Sequence, residues 1–180
     1  MSSTQNTTTA TKKYGRTLLL KPINNFELTA EHFGKLNGVV SNNMTKTTSS
    51  YFLTFDTSLN AQESYNFVKS NLPNVLVKYS YYKVFFTVNG LQDSADYNSV
   101  KDEFVKFLET TTKSTVLFFK LYKKGSSFIG CGDFTLDTLE GMNTILNRDT
   151  GIKTFSLSNG LSGTFHRFNS YKSKNTNTQV

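Results

Sequence analysis

The side chains in this 180-residue chain best suited to acid–base or nucleophilic work near neutral pH are few: His32, His166 and Cys131. Such chemistry needs a base positioned against a nucleophile, and the sequence does not bring these three together. His32 stands near the start of a predicted helix, His166 in a basic C-terminal stretch, and Cys131 on a strand with no histidine beside it. One cysteine and two distant histidines cannot supply a structural zinc set. Gly130-x-Gly132 lacks a third glycine and opens no helix, so it is not a dinucleotide fingerprint, and no Walker sequence exists. Neither a catalytic residue, a metal nor a cofactor is expected.

Four other groups suit a polynucleotide. Lys120, Lys123 and Lys124 fall in and beside a turn between two strands, where amines could hold phosphate. Tyr79, Tyr81 and Tyr82 lie between Lys78 and Lys83 in an aromatic-basic run. His166, Arg167, Phe168, Tyr171, Lys172 and Lys174 form a basic-aromatic tail. Phe52 and Phe85 are strand aromatics of the kind on which bases stack. Each group also has a plain structural reading: a solvated hairpin turn, tyrosines packed where two units meet, a solubilising tail, and rings in the core. The net charge of +7 sits at the ends. Residues 1–26 carry Lys12, Lys13, Arg16 and Lys21 without an acid, residues 150–180 are likewise acid-free, and the body between is nearly neutral. Cationic ends suit phosphate, where each contact releases a counterion, and they also keep a protein in solution.

The elements that position these groups are legible through a repeat. Phe52-Leu53-Thr54-Phe55-Asp56-Thr57 returns 81 residues later as Asp133-Phe134-Thr135-Leu136-Asp137-Thr138. Both copies read as a strand running into a helix, and one such unit cannot bury its apolar face alone. Around the first copy the expected order is a strand at 16–23, a helix capped by Thr29, and an unplaced strand within 41–50. A strand at 51–56, a helix capped by Asn60 and a strand at 75–80 follow. Around the second copy it is a strand at 83–88, a helix capped by Ser99, strands at 114–122 and 128–136, a helix capped by Thr138, and a closing strand at 153–157. Each half reads βαββαβ, a ferredoxin-like α+β unit. The reading divides the chain into a disordered arm (1–15), a first unit (16–81), a second unit (82–158) and a basic tail (159–180). One long bent strand over 75–88 inside a single larger domain is the alternative.

On these residues the chain resembles a divergent tandem pair of RNA recognition motifs (RRM). Val84-Phe85-Phe86-Thr87-Val88-Asn89-Gly90-Leu91 is similar to the family's first-strand hexapeptide region with one residue extra, and Ile129-Gly130-Cys131-Gly132-Asp133-Phe134-Thr135-Leu136 to its third-strand octapeptide. The resemblance implies aromatics on an open sheet face that stack on bases. Of those positions only Phe52 and Phe85 are filled as the family fills them. Leu19 and Ser50 replace aromatics in the first unit, and Cys131 and Asp133 in the second. An acid on that face would repel phosphate.

The reading therefore expects a non-catalytic protein that binds single-stranded RNA or DNA, using Phe52, Phe85, Tyr79, Tyr81, Lys83, Lys120, Lys123, Lys124, Arg167, Phe168 and Lys172. The alternative is a scaffolding protein that uses RRM-like folds for protein contacts or self-association, such as a component of a viral particle. The single cysteine and the lack of a signal-like or membrane-length apolar run point to an intracellular protein of the cytoplasm or nucleus, or one packaged in a virion, without a membrane partner.

Overall fold

The computed structural model describes residues 14–45 and 49–168. The chain divides into two compact units, Met1–Ser80 and Tyr81–Val180. In the first, the elements are β1 (Thr17–Pro22), α1 (Ala30–Gly34), β2 (Val39–Thr45), β3 (Ser50–Phe55), α2 (Ser58–Asn71) and β4 (Val75–Tyr79). Its antiparallel sheet has the order β2-β3-β1-β4, the ferredoxin-like arrangement of the RRM fold. Strand alternation decides which face is covered. Leu18 and Leu20 of β1 and Leu53 and Phe55 of β3 are fully buried, and they pack in one cluster with Leu36, Ala61 and Val68 from the helical side. Leu19 and Phe52, which pair across β1 and β3, point the other way and are half-buried.

The second unit contains β5 (Tyr82–Asn89), α3 (Tyr97–Thr112), β6 (Val116–Lys124), β7 (Ser127–Leu136), α4 (Leu139–Ile145), β8 (Ile152–Ser156) and β9 (Ser162–Arg167). The sheet order is β6-β7-β5-β9-β8. Both units are therefore RRM-like, and the second has one strand more. Strands β4 and β5 belong to different sheets, which sets aside one continuous strand over 75–88. The core is phenylalanine-rich: Phe86 lies 5.0 Å from Phe104 and 5.5 Å from Phe119 between ring centroids, and Phe155 stacks on Phe165 at 4.3 Å.

Two expectations are corrected here. The strand at 153–157 does not close the second unit. It is the edge strand β8, and the place beside β5 is taken by β9, within the stretch read as the start of a tail at 159. Composition concealed β9, because Gly160, Ser162 and Gly163 look like a loop. Yet Leu161, Gly163 and Phe165 alternate inward, all buried. Gly163 must be glycine, since a Cβ there would collide with the Thr87 carbonyl oxygen and the Phe155 ring.

The second correction concerns caps. Helix α2 is capped by Thr57, whose hydroxyl accepts from the Asn60 backbone N–H at 3.1 Å. Asn60 itself donates its side-chain amide back to Asp56 at 2.8 Å. Asp96 caps α3, accepting the Ser99 backbone N–H at 2.8 Å, so Ser99 is inside the helix. That bond and the one from the Ser99 hydroxyl hold the Asp96 carboxyl below the usual carboxylate range. Thr138 caps α4 as expected, accepting from Gly141 N–H at 3.1 Å. The repeated Asp-Thr pair is thus a shared device: the threonine starts a helix, and the aspartate ties the strand end down. Asp56 accepts from the Thr57 backbone at 2.7 Å and Asp137 from the Thr115 backbone at 2.8 Å.

Candidate nucleic-acid interface

The helix-free face of the second unit is set by the inward turn of Val84, Phe86 and Val88 on β5, which leaves Lys83, Phe85 and Thr87 outward. Pairing then fixes a row across all five strands. Lys120 of β6 opposes Asp133 of β7, Asp133 opposes Phe85, Phe85 opposes His166 of β9, and His166 opposes Ile152 of β8. A second row runs from Phe118 through Thr135 to Lys83. Phe118 is 50% exposed and Ile152 47%. Phe85 and His166 are half-buried, with ring centroids 6.0 Å apart.

Asp133 does not behave as the sequence suggested. Its side chain is buried, and Oδ2 is held by the Tyr122 hydroxyl and by Lys83 Nζ at 3.2 Å. The negative charge is matched locally, so it does not present an acid to phosphate. The hydrogen bond to Asp133 is the main reason the Tyr122 hydroxyl is pushed up to about 12, with burial and the carboxylate charge adding to it. Oδ1 is buried without a hydrogen-bond partner among the described residues. A half-satisfied buried carboxylate costs stability relative to an apolar side chain. The row is therefore not optimised for stability alone.

The expected site residues separate into groups. Phe85, Lys83, Lys120 and Phe168 gather on this face. Lys83 is not a free cation, since it pairs with Asp133 and lies 4.4 Å from the centroid of the Phe168 ring. Lys120 is exposed, 5.7 Å from the Tyr122 ring centroid. Lys123 turns to the helical side after a break in register between Leu121 and Lys123, and sits over the rings of Phe128 at 4.3 Å and Tyr97 at 6.0 Å. Lys124 is exposed at the β6–β7 turn. Arg167 ends β9 beside Gly151. Tyr81 is 48% exposed just before β5.

In the first unit, Phe52 lies on the helix-free face in the row Asn43–Phe52–Leu19–Lys78. Tyr79 does not belong to such a face. It lies on the helical side and stacks on Tyr65 of α2 at 5.1 Å, with Tyr14 5.7 Å away, so a structural role replaces the expected one. Lys172 lies outside the described residues.

Sequence reasoning missed Phe118, Tyr122 and Ile152, and it placed His166 in a tail rather than on a strand. The signal was present for β6: Phe118, Lys120 and Tyr122 alternate with the buried Phe119 and Leu121. Cys131 is half-buried opposite Thr87, and burial pushes its thiol up, away from nucleophilic use.

No family model matches the sequence, and no curated protein matches it. Among solved structures the chain is similar to one titled "Sxl-lethal protein/RNA complex", at 11% identity and a TM-score of 0.29, covering 83% of this chain and 98% of that one. So low a TM-score carries no argument. The RRM-like assignment rests on the strand order and helix placement within each unit.

Proposed function

We propose that this protein binds single-stranded RNA, without catalysis, through the helix-free sheet face of its second unit. One observation supports this most: Phe118, Phe85, His166 and Phe168 share a face with Lys120, and Asp133 in that row is paired with Lys83. Sequence-tolerant binding of single strands combines stacking rings with cations in this way. Stacking and phosphate contacts read few base edges, so sequence preference is weak and salt dependence steep. A reducing compartment, cytoplasm or nucleus, accompanies the reading. No described helix is long and apolar enough to cross a membrane. The test is titration of a fluorescent single-stranded oligonucleotide at two salt concentrations. Binding that weakens several-fold at the higher salt supports the reading, and no binding at low salt ends it.

A second reading, a scaffolding role through protein contacts, is favoured by the edge strand β2, where Val40 is 64% and Met44 53% exposed. An exposed apolar edge invites pairing with another chain. Sedimentation separates the two. A defined oligomer dispersed by Val40→Lys and indifferent to RNA supports the second reading, and a monomer shifted by RNA supports the first.

A further inference from the structure

In the first unit, the loop that leaves β1 shapes a cavity of about 610 Å³ on the helical side of the sheet. That volume holds one long side chain with its flanking backbone. Strand pairing fixes its position. Tyr51 of β3 opposes the buried Leu20 of β1, and Met44 of β2 opposes Tyr51, so both point to the covered side. Phe26 and Leu28 of the loop pack on the same core cluster. We infer that this cavity binds a lysine side chain of a basic partner protein, with the ammonium at Glu27 and the methylene stem against Phe26, Tyr51 and Met44. The inference goes beyond RNA binding and does not rest on it, since it uses the other unit and the helical side of that unit's sheet.

The lining decides the sign of the ligand. In a chain of net charge +7, it contains one charged residue, the acid Glu27, and no Lys, Arg or His. Neighbouring acids are already engaged: Glu31 pairs with Lys35 at 3.1 Å, and Asp56 accepts from Asn60 and from the Thr57 backbone. Glu27 is exposed and has no hydrogen-bond or ion-pair partner among the described residues. His32, which sets its ring against Phe26, accepts the Thr29 backbone N–H at Nδ1. Asn24 donates its side-chain amide to Asn74 Oδ1 at 3.2 Å, which leaves its own Oδ1 as an acceptor. An ammonium has three donors and no acceptor, so it matches a carboxylate beside an amide oxygen, whereas a phosphate would be repelled. The walls suit the rest of a lysine. Met44 is 53% exposed, and Phe26 and Tyr51 are half-buried. A lysine stem packs along such apolar surface while its head stays wet, and rings attract the charge. The loop is shaped in advance. Asn24 and Asn25 have φ 55 and 58, a left-handed conformation that asparagine tolerates better than most residues. Bonds from Ile23 N–H to the Asn74 carbonyl at 2.9 Å and from Phe26 N–H to the Ile23 carbonyl at 3.0 Å hold it there. Preorganisation of this kind lowers the cost of binding.

The experiment is amide- and methyl-shift titration of the full-length protein with four probes. They are the capped pentapeptide Gly-Ser-Lys-Ser-Gly, the same peptide acetylated at the lysine Nε, its glutamate counterpart, and a single-stranded octanucleotide. The expected result is saturable shifts at the Met44 methyl and the Asn25 and Glu27 amides with the lysine peptide at about millimolar concentrations, the scale of one anchored side chain. Acetylation of the peptide, or Glu27→Gln in the protein, should weaken binding about tenfold, as loss of a charge-assisted hydrogen bond implies. Glu27 is an exposed loop residue, so Glu27→Gln should leave the urea midpoint unchanged and report on the contact alone. Equal shifts with the acetylated or glutamate peptide, or lysine-peptide binding indifferent to Glu27→Gln, would overturn the inference. If the octanucleotide moves Met44, Asn25 and Glu27, the cavity belongs to nucleic acid, and the inference falls while the RNA reading survives. If the octanucleotide binds nowhere and the lysine peptide still saturates, the cavity stands and the RNA reading falls. Tighter peptide binding by a Lys12→Ser/Lys13→Ser variant would make the protein's own N-terminal segment the occupant and overturn the assignment to a partner.

Discussion

The helix-free faces of the two units begin from the same pattern and end differently. Offset by 81 residues, Phe52 of the first unit corresponds to Asp133 of the second, and the two central rows read Asn43–Phe52–Leu19–Lys78 and Lys120–Asp133–Phe85–His166–Ile152. The aromatic has moved one strand over. Where the first unit places a ring on β3, the second places a carboxylate on β7, neutralises it with Lys83 and Tyr122, and puts its ring on β5. It then adds one edge strand, β8, outside β9. One fold thus carries a sparse face with a single ring and an elaborated face with several rings, His166 and the exposed Lys120.

Five substitutions and one titration sharpen or break that contrast. The largest effect is on folding. Gly132 stands where the first unit has Tyr51, and a Cβ there would collide with the Lys120 carbonyl oxygen and the Phe86 ring. Gly132→Ala should cost about 3 kcal/mol, the upper end for overpacking, because backbone must move; the urea midpoint measures it. Next, Phe85→Ala should weaken single-stranded RNA by about 2 kcal/mol, the middle of the range for one stacked base, with the urea midpoint little changed. Phe52→Ala should weaken it less, by about 1 kcal/mol or under. Equal losses would erase the division of labour between the faces.

The smaller effects concern local chemistry. Tyr122 deprotonates at about 12 when folded, against 10.0 for an ordinary tyrosine. The folded state holds this proton more tightly than the unfolded chain does. Its contribution to stability is therefore complete below pH 10 and is lost as pH rises from 10 through 12. Absorbance of phenolate should show one tyrosine titrating late, and Asp133→Asn should bring it earlier. Smallest is Ser49→Gly. Ser49 and Gly130 occupy corresponding places with φ 48 and 69, so relieving the serine should stabilise by about 1 kcal/mol at most. No gain would mean that the two positions are not equivalent.

The fold was largely legible because it rests on periodicity. Leu18 and Leu20, Val84, Phe86 and Val88, and the Asp-Thr strand ends each repeat at a spacing that fixes face or helix start. Strand β9 was not, because Gly160, Ser162 and Gly163 look like a loop, although β8 was legible as a strand at 153–157. The site was half legible. Phe85 emerged from alternation, but His166 and Ile152 depend on which strand lies beside β5, a long-range pairing that local pattern does not encode. Asp133 was misjudged for the same reason: its partners Lys83 and Tyr122 come from the two flanking strands. Tyr79 shows the converse, since its stacking on Tyr65 depends on the packing of α2.

The most direct test of the central claim is photo-crosslinking of the full-length protein to single-stranded RNA carrying 4-thiouridine, with adducts located by mass spectrometry. Adducts concentrated on Phe85, Phe118, His166 and Phe168, and reduced by competing unlabelled RNA, are the predicted result. Adducts confined to the helical side of the second unit, around α3 and Lys123, or an absence of competable adducts, would contradict it.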